Sequence, residues 1–258
     1  MTTIDAAEAT RLAGAVRREG HALAAAARRA PDAAIPSCPG WDMTTLLNHL
    51  GRVHGWAATA VESRATEAAP FPKRPDAVTV EWFEAGVDHL ADVLDAAAAT
   101  PDAPVWNFMG VTPADAGFWI RRQAVETAIH RWDAQLAAGD PEPIEPALAV
   151  AGIDEALLLH LTLAAAALEN DVDLGGTVHF HATDTTDTAG DADKGEWTVR
   201  LDGRRLVVGR GHEKGDVAAR GTASDLLLFL WGRVDQERLE VFGDGTILER
   251  WQGHLRIA

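Results

Sequence analysis

Gly139-Asp140-Pro141-Glu142-Pro143-Ile144-Glu145-Pro146 divides the chain into two stretches of different character. Its three prolines within eight residues stiffen the connection and stop any helix from running through it. A domain boundary is therefore expected here, between residues 1–145 and 146–258. Upstream, Ala-rich amphipathic stretches alternate with breaks and show no strand-like alternation of period two. Helices are expected near Asp5–Arg29, Met43–Thr66, Val80–Ala99 and Gly117–Ala138. Pro31, Pro36 and Pro39, then Pro70, Pro72 and Pro75, then Pro101, Pro104 and Pro113 separate them, and these are natural stops and starts. Four helices with short to moderate loops predict an antiparallel bundle.

Downstream the pattern changes after one more helix, near Leu148–Asn170. Thr177–Thr183, Trp197–Leu201 and Leu206–Arg210 read as strands, with Asp202-Gly203 as a hairpin turn. Two last helices, near Ala223–Trp231 and Thr246–Gln252, complete a smaller α+β domain. The acidic run Asp184 to Lys194 reads as an exposed hairpin loop. The fold class expected for the whole chain is thus α+β, a four-helix bundle followed by a smaller α/β domain.

Composition narrows the function. The 258 residues are 47% hydrophobic, enough for a substantial core, and 23 Lys+Arg against 39 Asp+Glu leave a net charge of −16. Such a chain repels a phosphate backbone, so no nucleic-acid partner is expected, and anionic membrane surfaces are disfavoured likewise. Met1-Thr2-Thr3-Ile4-Asp5-Ala6-Ala7-Glu8 carries acid where a signal peptide carries base, which predicts a cytoplasmic protein. The longest greasy stretch, Ala156 to Leu168, is interrupted by His160 and Thr162 and falls short of the roughly 20 residues of a membrane-spanning helix. With no Tyr and Cys38 as the single cysteine, intrachain disulfides, multi-cysteine zinc sites and phenolic chemistry are all excluded.

The chemically informative residues lie on two helices. Glu126 and His130, four apart, project from one helix face at neighbouring turns, a spacing that permits chelation of one metal ion. Arg122 and Asp133 fall near the same stripe. His49, within Leu46-Leu47-Asn48-His49-Leu50, sits in an apolar setting where an imidazole needs a reason to be present. Together His49, Glu126 and His130 make a two-His, one-carboxylate set that leaves an open position, as a catalytic zinc site requires. The plainer reading is a chance helical pair beside a buried histidine satisfied by a carbonyl or hydroxyl. His54 is rotated off the His49 face, and His89 has no evident partner. Asp133 reads as a solvated helix residue, with orientation of a ligand histidine as the alternative.

Other signals fail. Gly209-Arg210-Gly211-His212-Glu213-Lys214-Gly215 follows a hairpin strand and has one residue too many for a dinucleotide loop. Asp184, Asp187, Asp191 and Asp193 lack calcium-loop spacing. Cys38 has no adjacent base and reads as a packed thiol.

Pro36-Ser37-Cys38-Pro39-Gly40-Trp41-Asp42 leading into Leu46-Leu47-Asn48-His49-Leu50-Gly51-Arg52-Val53-His54, followed by Glu126-Thr127-Ala128-Ile129-His130-Arg131-Trp132-Asp133, resembles the mycothiol-dependent maleylpyruvate isomerase family of DinB-like proteins. Gly195-Glu196-Trp197-Thr198-Val199, Ala223 to Arg233 and Leu239 to Asp244 are similar to that family's C-terminal domain. The resemblance implies a DinB-like bundle with a sterol-carrier-like domain, and His49, Glu126 and His130 as ligands to zinc or another divalent metal. It also implies mycothiol, a low-molecular-weight thiol of actinobacteria, as the source of sulfur. Zinc lowers the pKa of a bound thiol, so the protein needs no nucleophilic cysteine of its own. For an isomerase, thiolate addition to the cis double bond of an unsaturated keto acid, rotation and elimination return the trans isomer. The resemblance offers Arg233, in Trp231-Gly232-Arg233, as an anchor for the substrate carboxylate, with Arg122 as the other candidate; an ordinary surface ion pair is the plainer reading of either.

The residues suit a thiol-dependent isomerase and an S-transferase acting on a small electrophile equally, because the two differ only in whether sulfur leaves again. A carrier of an apolar ligand needs none of the three ligand positions. A metal-dependent hydrolase would activate water at the same open site and need no thiol.

Overall fold

Each helix of the first half begins on a side chain that caps it. Asp5 accepts from the Glu8 amide at 2.8 Å, Asp42 from Thr45 at 2.7 Å, Thr79 from Trp82 at 3.1 Å and Asp115 from Phe118 at 2.9 Å, which satisfies amides that have no partner within the helix. The computed structural model describes residues 3–169, 172, 174–185, 195–255 and 257. It divides into two units, Met1–Glu142 and Pro143–Ala258. The acidic loop expected at Asp184 to Lys194 lies largely outside the described residues.

The first unit holds α1 (Ala6–Arg29), α2 (Met43–Glu62), α3 (Val80–Ala97) and α4 (Ala116–Ala137). Its core is built from Leu23, Leu46, Leu50, Phe83, Val87 and their neighbours. Gly51 lets α2 approach α3, since a Cβ there would stand 2.4 Å from the Trp82 ring. Ion pairs give the relative directions. Arg17 meets Asp88 and Asp92 while Arg28 meets Glu84, so α1 and α3 are antiparallel. Glu19 meets Arg131 and Glu8 meets Arg121, so α1 and α4 run parallel. The bundle is therefore not antiparallel throughout: α2 and α3 also run the same way, with His54 on Phe83 and His89 beside Glu62. The connection at residues 63–79 explains this. Extended, it reaches roughly 50 Å, well beyond the about 30 Å of a 20-residue helix, so the chain returns to the other end before α3 begins.

α4 differs from the others in having no polar face. Every residue from Asp115 to Gln135 is buried, so its charged side chains are taken up inside the unit. Arg131, for example, donates to Glu19 at 2.8 Å and to Gln135 at 2.8 Å.

The second unit holds α5 (Pro146–Glu155), a π-helical turn (Ala156–His160) and α6 (Leu161–Ala166), then a mixed sheet with α7 (Ala223–Leu230) and α8 (Thr246–His254). The strands are β1 (Val178–Ala182), β2 (Glu196–Asp202), β3 (Arg205–Arg210), β4 (Val217–Gly221) and β5 (Glu240–Gly243), in the order β3-β2-β1-β4-β5. β1 and β4 are parallel and the other neighbours antiparallel. The expected first three strands and the Asp202-Gly203 turn are present, with Gly203 at φ 61° as that turn needs. β4 and β5 are additions to the expected set. Pro146–Ala166 is long and apolar enough, by length and composition, to cross a bilayer, more than Ala156 to Leu168 suggested. Yet 56% of its most apolar window is buried inside the protein, as befits a core helix.

Candidate metal centre

α2 and α4 run antiparallel and bring two side-chain stripes together. His49, Arg52 and Trp56 follow one another along α2; His130, Glu126, Arg122 and Trp119 follow along α4. At one end, His49 Nε2 lies 3.3 Å from Glu126 Oε1, and His130 Nε2 lies 3.6 Å from the same oxygen. One ligand atom from each of the three falls within 4.8 Å of the others. A tetrahedral zinc with bonds of about 2.0–2.1 Å spaces its ligand atoms roughly 3.3 Å apart, so this donor set fits such an ion.

Both histidines are held with a ring nitrogen turned toward Glu126. His49 is pushed down to about 4, chiefly by burial and then by electrostatic repulsion from the neighbouring His130, Arg122 and Arg52, so its imidazole is neutral at pH 7. His130 Nδ1 donates to Asp133 Oδ2 at 2.9 Å, which places the proton on Nδ1 and leaves the Nε2 lone pair facing Glu126 and His49. Asp133 is fully buried and also accepts from Ser37 Oγ at 2.6 Å and Cys38 Sγ at 3.7 Å. The solvated reading of Asp133 is thus corrected, because α4 has no solvent face at that turn. Cys38, for which no partner was visible in sequence, is half-buried at this carboxylate. With His130 and Asp133 it forms an alternative donor group, but it would take the His130 nitrogen already committed to Asp133.

Trp41, just before α2, roofs the histidines. Its ring is 4.9 Å from His49 and 6.0 Å, nearly parallel, from His130. The loop places it there through a short bridge between Ala34 and Asp42. No spacing within a helix could have found Trp41.

A second layer is cationic and a third apolar. Arg122 pairs with Glu126 Oε2. Arg52 donates to the Pro72 carbonyl at 2.9 Å and lies 4.6 Å from the Phe71 ring centroid. Beyond them Trp56 and Trp119 meet at 5.5 Å, with their indole N–H groups donating to the carbonyls of Ala69 and Trp106 at 2.8 and 2.7 Å. His54 is fully buried and held by Thr127 Oγ1 at 3.0 Å, apart from the ligand set, and His89 stands 3.6 Å from Glu62. Arg233 belongs to the second unit, where it follows α7, donates to the Trp231 carbonyl at 3.0 Å and lies 5.7 Å from the Trp231 ring centroid.

The chain matches the family models of the mycothiol maleylpyruvate isomerase N-terminal domain over residues 12–135 and of the MDMPI C-terminal domain over residues 147–250. Among solved structures it is similar to a mycothiol-dependent maleylpyruvate isomerase, with a TM-score of 0.59 at 14% identity over 93% of this chain and 95% of that one. A histidine-to-alanine mutant of that isomerase gives the same values: 0.59, 14%, 93% and 95%. At that identity the likeness is one of fold. A sec-alkylsulfatase from Pseudomonas sp. reaches a TM-score of only 0.32 at 16% identity over 84% of this chain and 44% of that one. No curated protein sequence matches the chain.

Proposed function

The chain belongs to the mycothiol maleylpyruvate isomerase family, whose two domain models span most of it, and on that premise we propose that it is a metal-dependent enzyme working with mycothiol on a small unsaturated keto acid. His49, Glu126 and His130 are the proposed ligands, and zinc the proposed ion. The observation that carries this is the convergence of their ligand atoms, with the His130 tautomer set by buried Asp133. Zinc held there would supply a Lewis-acidic position at which a thiol ionises near neutral pH.

The chain's own residues perform the remaining tasks. Burial keeps His49 neutral, Asp133 keeps the His130 proton on Nδ1, and Trp41 packs against both rings. Arg122 balances the Glu126 carboxylate. Arg52 and Arg122, on the apolar side of the ligands, form a cationic layer suited to a carboxylate substrate, and Arg233 is proposed as a substrate anchor. Isomerase and S-transferase use these residues alike; the family name favours the isomerase, with maleylpyruvate as the proposed substrate, and the proposed location, resting on the acidic first residues alone, is the cytoplasm.

Metal analysis of purified wild type and His130→Ala tests this, together with turnover of maleylpyruvate with and without mycothiol. One zinc fewer per chain in the variant, with thiol-dependent isomerisation in the wild type, is expected. An unchanged metal complement in His130→Ala removes that ligand. Turnover without thiol points to a hydrolase, and a metal-free, inactive wild type after zinc reconstitution points to a carrier.

A further inference from the structure

β1 alternates two chemistries. Phe180 faces Phe229 of α7 at 6.4 Å, and on the neighbouring strand Trp197 donates to Asp154 of α5 at 2.9 Å. Strand alternation places His179 and His181 on the opposite face. Across the β1–β2 ladder His181 pairs with Glu196 and His179 with Thr198, so a carboxylate comes to the same face. His212 reaches it from the turn after β3, where the Gly211 amide donates to the Glu196 carbonyl at 3.2 Å.

The side chains converge on Glu196. His212 Nδ1 lies 2.9 Å and His179 Nε2 3.4 Å from Oε2, while His181 Nε2 lies 3.6 Å from Oε1. The ligand atoms of His179, Glu196 and His212 all fall within 4.8 Å of one another. His179 is only 5% exposed, and its Nε2 faces Glu196 Oε2 at 3.4 Å without the geometry of a hydrogen bond. A cation between the two would give that buried ring nitrogen a directed partner.

We infer that this sheet face is a second metal site, in which His179, Glu196 and His212 hold a divalent transition metal ion, with His181 as a further donor within reach. Two imidazoles and one carboxylate suit zinc, nickel or cobalt rather than calcium or magnesium, which prefer oxygen. Separations of 2.9 and 3.4 Å bracket the roughly 3.3 Å spacing of ligand atoms around tetrahedral zinc. A bound ion would pin the turn carrying His212 to β1 and β2. The site is built from residues of the second unit alone and does not depend on the proposed enzyme centre.

Zinc titration of the full-length His49→Ala/His130→Ala protein against a chromophoric chelator isolates this site from the bundle. One equivalent is expected to bind. Adding His212→Gln or Glu196→Gln should then weaken binding by about 100-fold or more, at or beyond the upper end of what loss of an outer-shell partner costs. The His212 side chain is 77% exposed, so that loss would not reflect unfolding. Cobalt loading should give visible absorption bands that vanish with the same substitutions. The inference is overturned if the His49→Ala/His130→Ala protein, with native helical content, binds no zinc, or if affinity is unchanged by both added substitutions. Should that background unfold, the wild type serves: its stoichiometry of two should fall to one with His212→Gln, and a stoichiometry unaffected by His212→Gln overturns the site.

Discussion

Asp133→Asn separates orientation of a ligand from ligation itself. The carboxylate is fully buried and accepts from His130 Nδ1 at 2.9 Å, Ser37 Oγ at 2.6 Å and Cys38 Sγ at 3.7 Å. An amide of the same shape keeps one acceptor oxygen. If that oxygen stays with Ser37, the NH2 group faces Nδ1, which must then accept. The imidazole proton moves to Nε2, the nitrogen that lies 3.6 Å from Glu126, and no lone pair is left there for a metal. If the oxygen stays with His130, Ser37 loses its acceptor and the ring is held less firmly. Loss of such a partner costs about 10–100-fold in metal affinity, or about 1.4–2.8 kcal/mol. Zinc competition titration reads this directly, with far-UV circular dichroism showing that the bundle is intact. Ser37→Ala touches only the other oxygen and leaves the His130 contact in place, so it should cost less, about fivefold or under, or about 1 kcal/mol. Asp133→Asn binding zinc as tightly as the wild type would refute the assignment of the His130 tautomer and the role of Asp133.

Three further outcomes follow from single residues. His54, pushed down to about 3 by burial and then by the charges of His130 and His49, stays neutral in the folded protein while the unfolded chain takes a proton near pH 6.5. Its contribution is therefore intact above about pH 6.5 and lost as the pH falls towards 3; between pH 7 and 5 the loss is about 2 kcal/mol. Urea denaturation should show that portion of the pH slope missing in His54→Gln, and an unchanged slope would count against it. Gly51→Ala places a methyl group 2.4 Å from Trp82 and should cost about 1–3 kcal/mol of stability, a clear drop in Tm; an unchanged Tm would mean that α3 is not seated on that glycine. Arg233→Ala should raise KM for a keto acid roughly tenfold or more, the worth of a charge-assisted hydrogen bond, with metal content unchanged. Equal KM values would remove Arg233 as the anchor.

The helices of the first half were legible to within a few residues because proline-bearing separators bound them on both sides. Their directions were not, since nothing local says whether residues 63–79 turn back at once or cross the bundle. The burial of Asp133 is hidden from the sequence for a related reason. Helical spacing places it on the Glu126–His130 stripe, but only the packing of α1 and α2 around α4 removes the solvent from that position. β4 and β5 carry little local strand signal, because Val217-Ala218-Ala219-Arg220-Gly221 is poor in β-branched residues and Glu240-Val241-Phe242-Gly243 is short. Both strands exist through pairing with a distant part of the chain, β4 with β1 and β5 with β4.

The two donor clusters show where local periodicity stops. A helix brings residues four apart together, and Glu126 with His130 can be read that way; a strand brings residues two apart together, and His179 with His181 obeys that rule equally. In each case the local period yields only a pair. The remaining donor comes from elsewhere: His49 from α2, Glu196 from the neighbouring strand, His212 from a turn. A pair cannot hold an ion against water unless a third group is fixed opposite it, and that fixing is done by packing: Gly51 against Trp82 seats α2, and the β1–β2 register seats Glu196. Register is thus the quantity on which both centres depend. A one-residue slip of β2 against β1 would send Glu196 to the helix-covered face, leaving the histidines without their carboxylate while every residue of the motif remained in place.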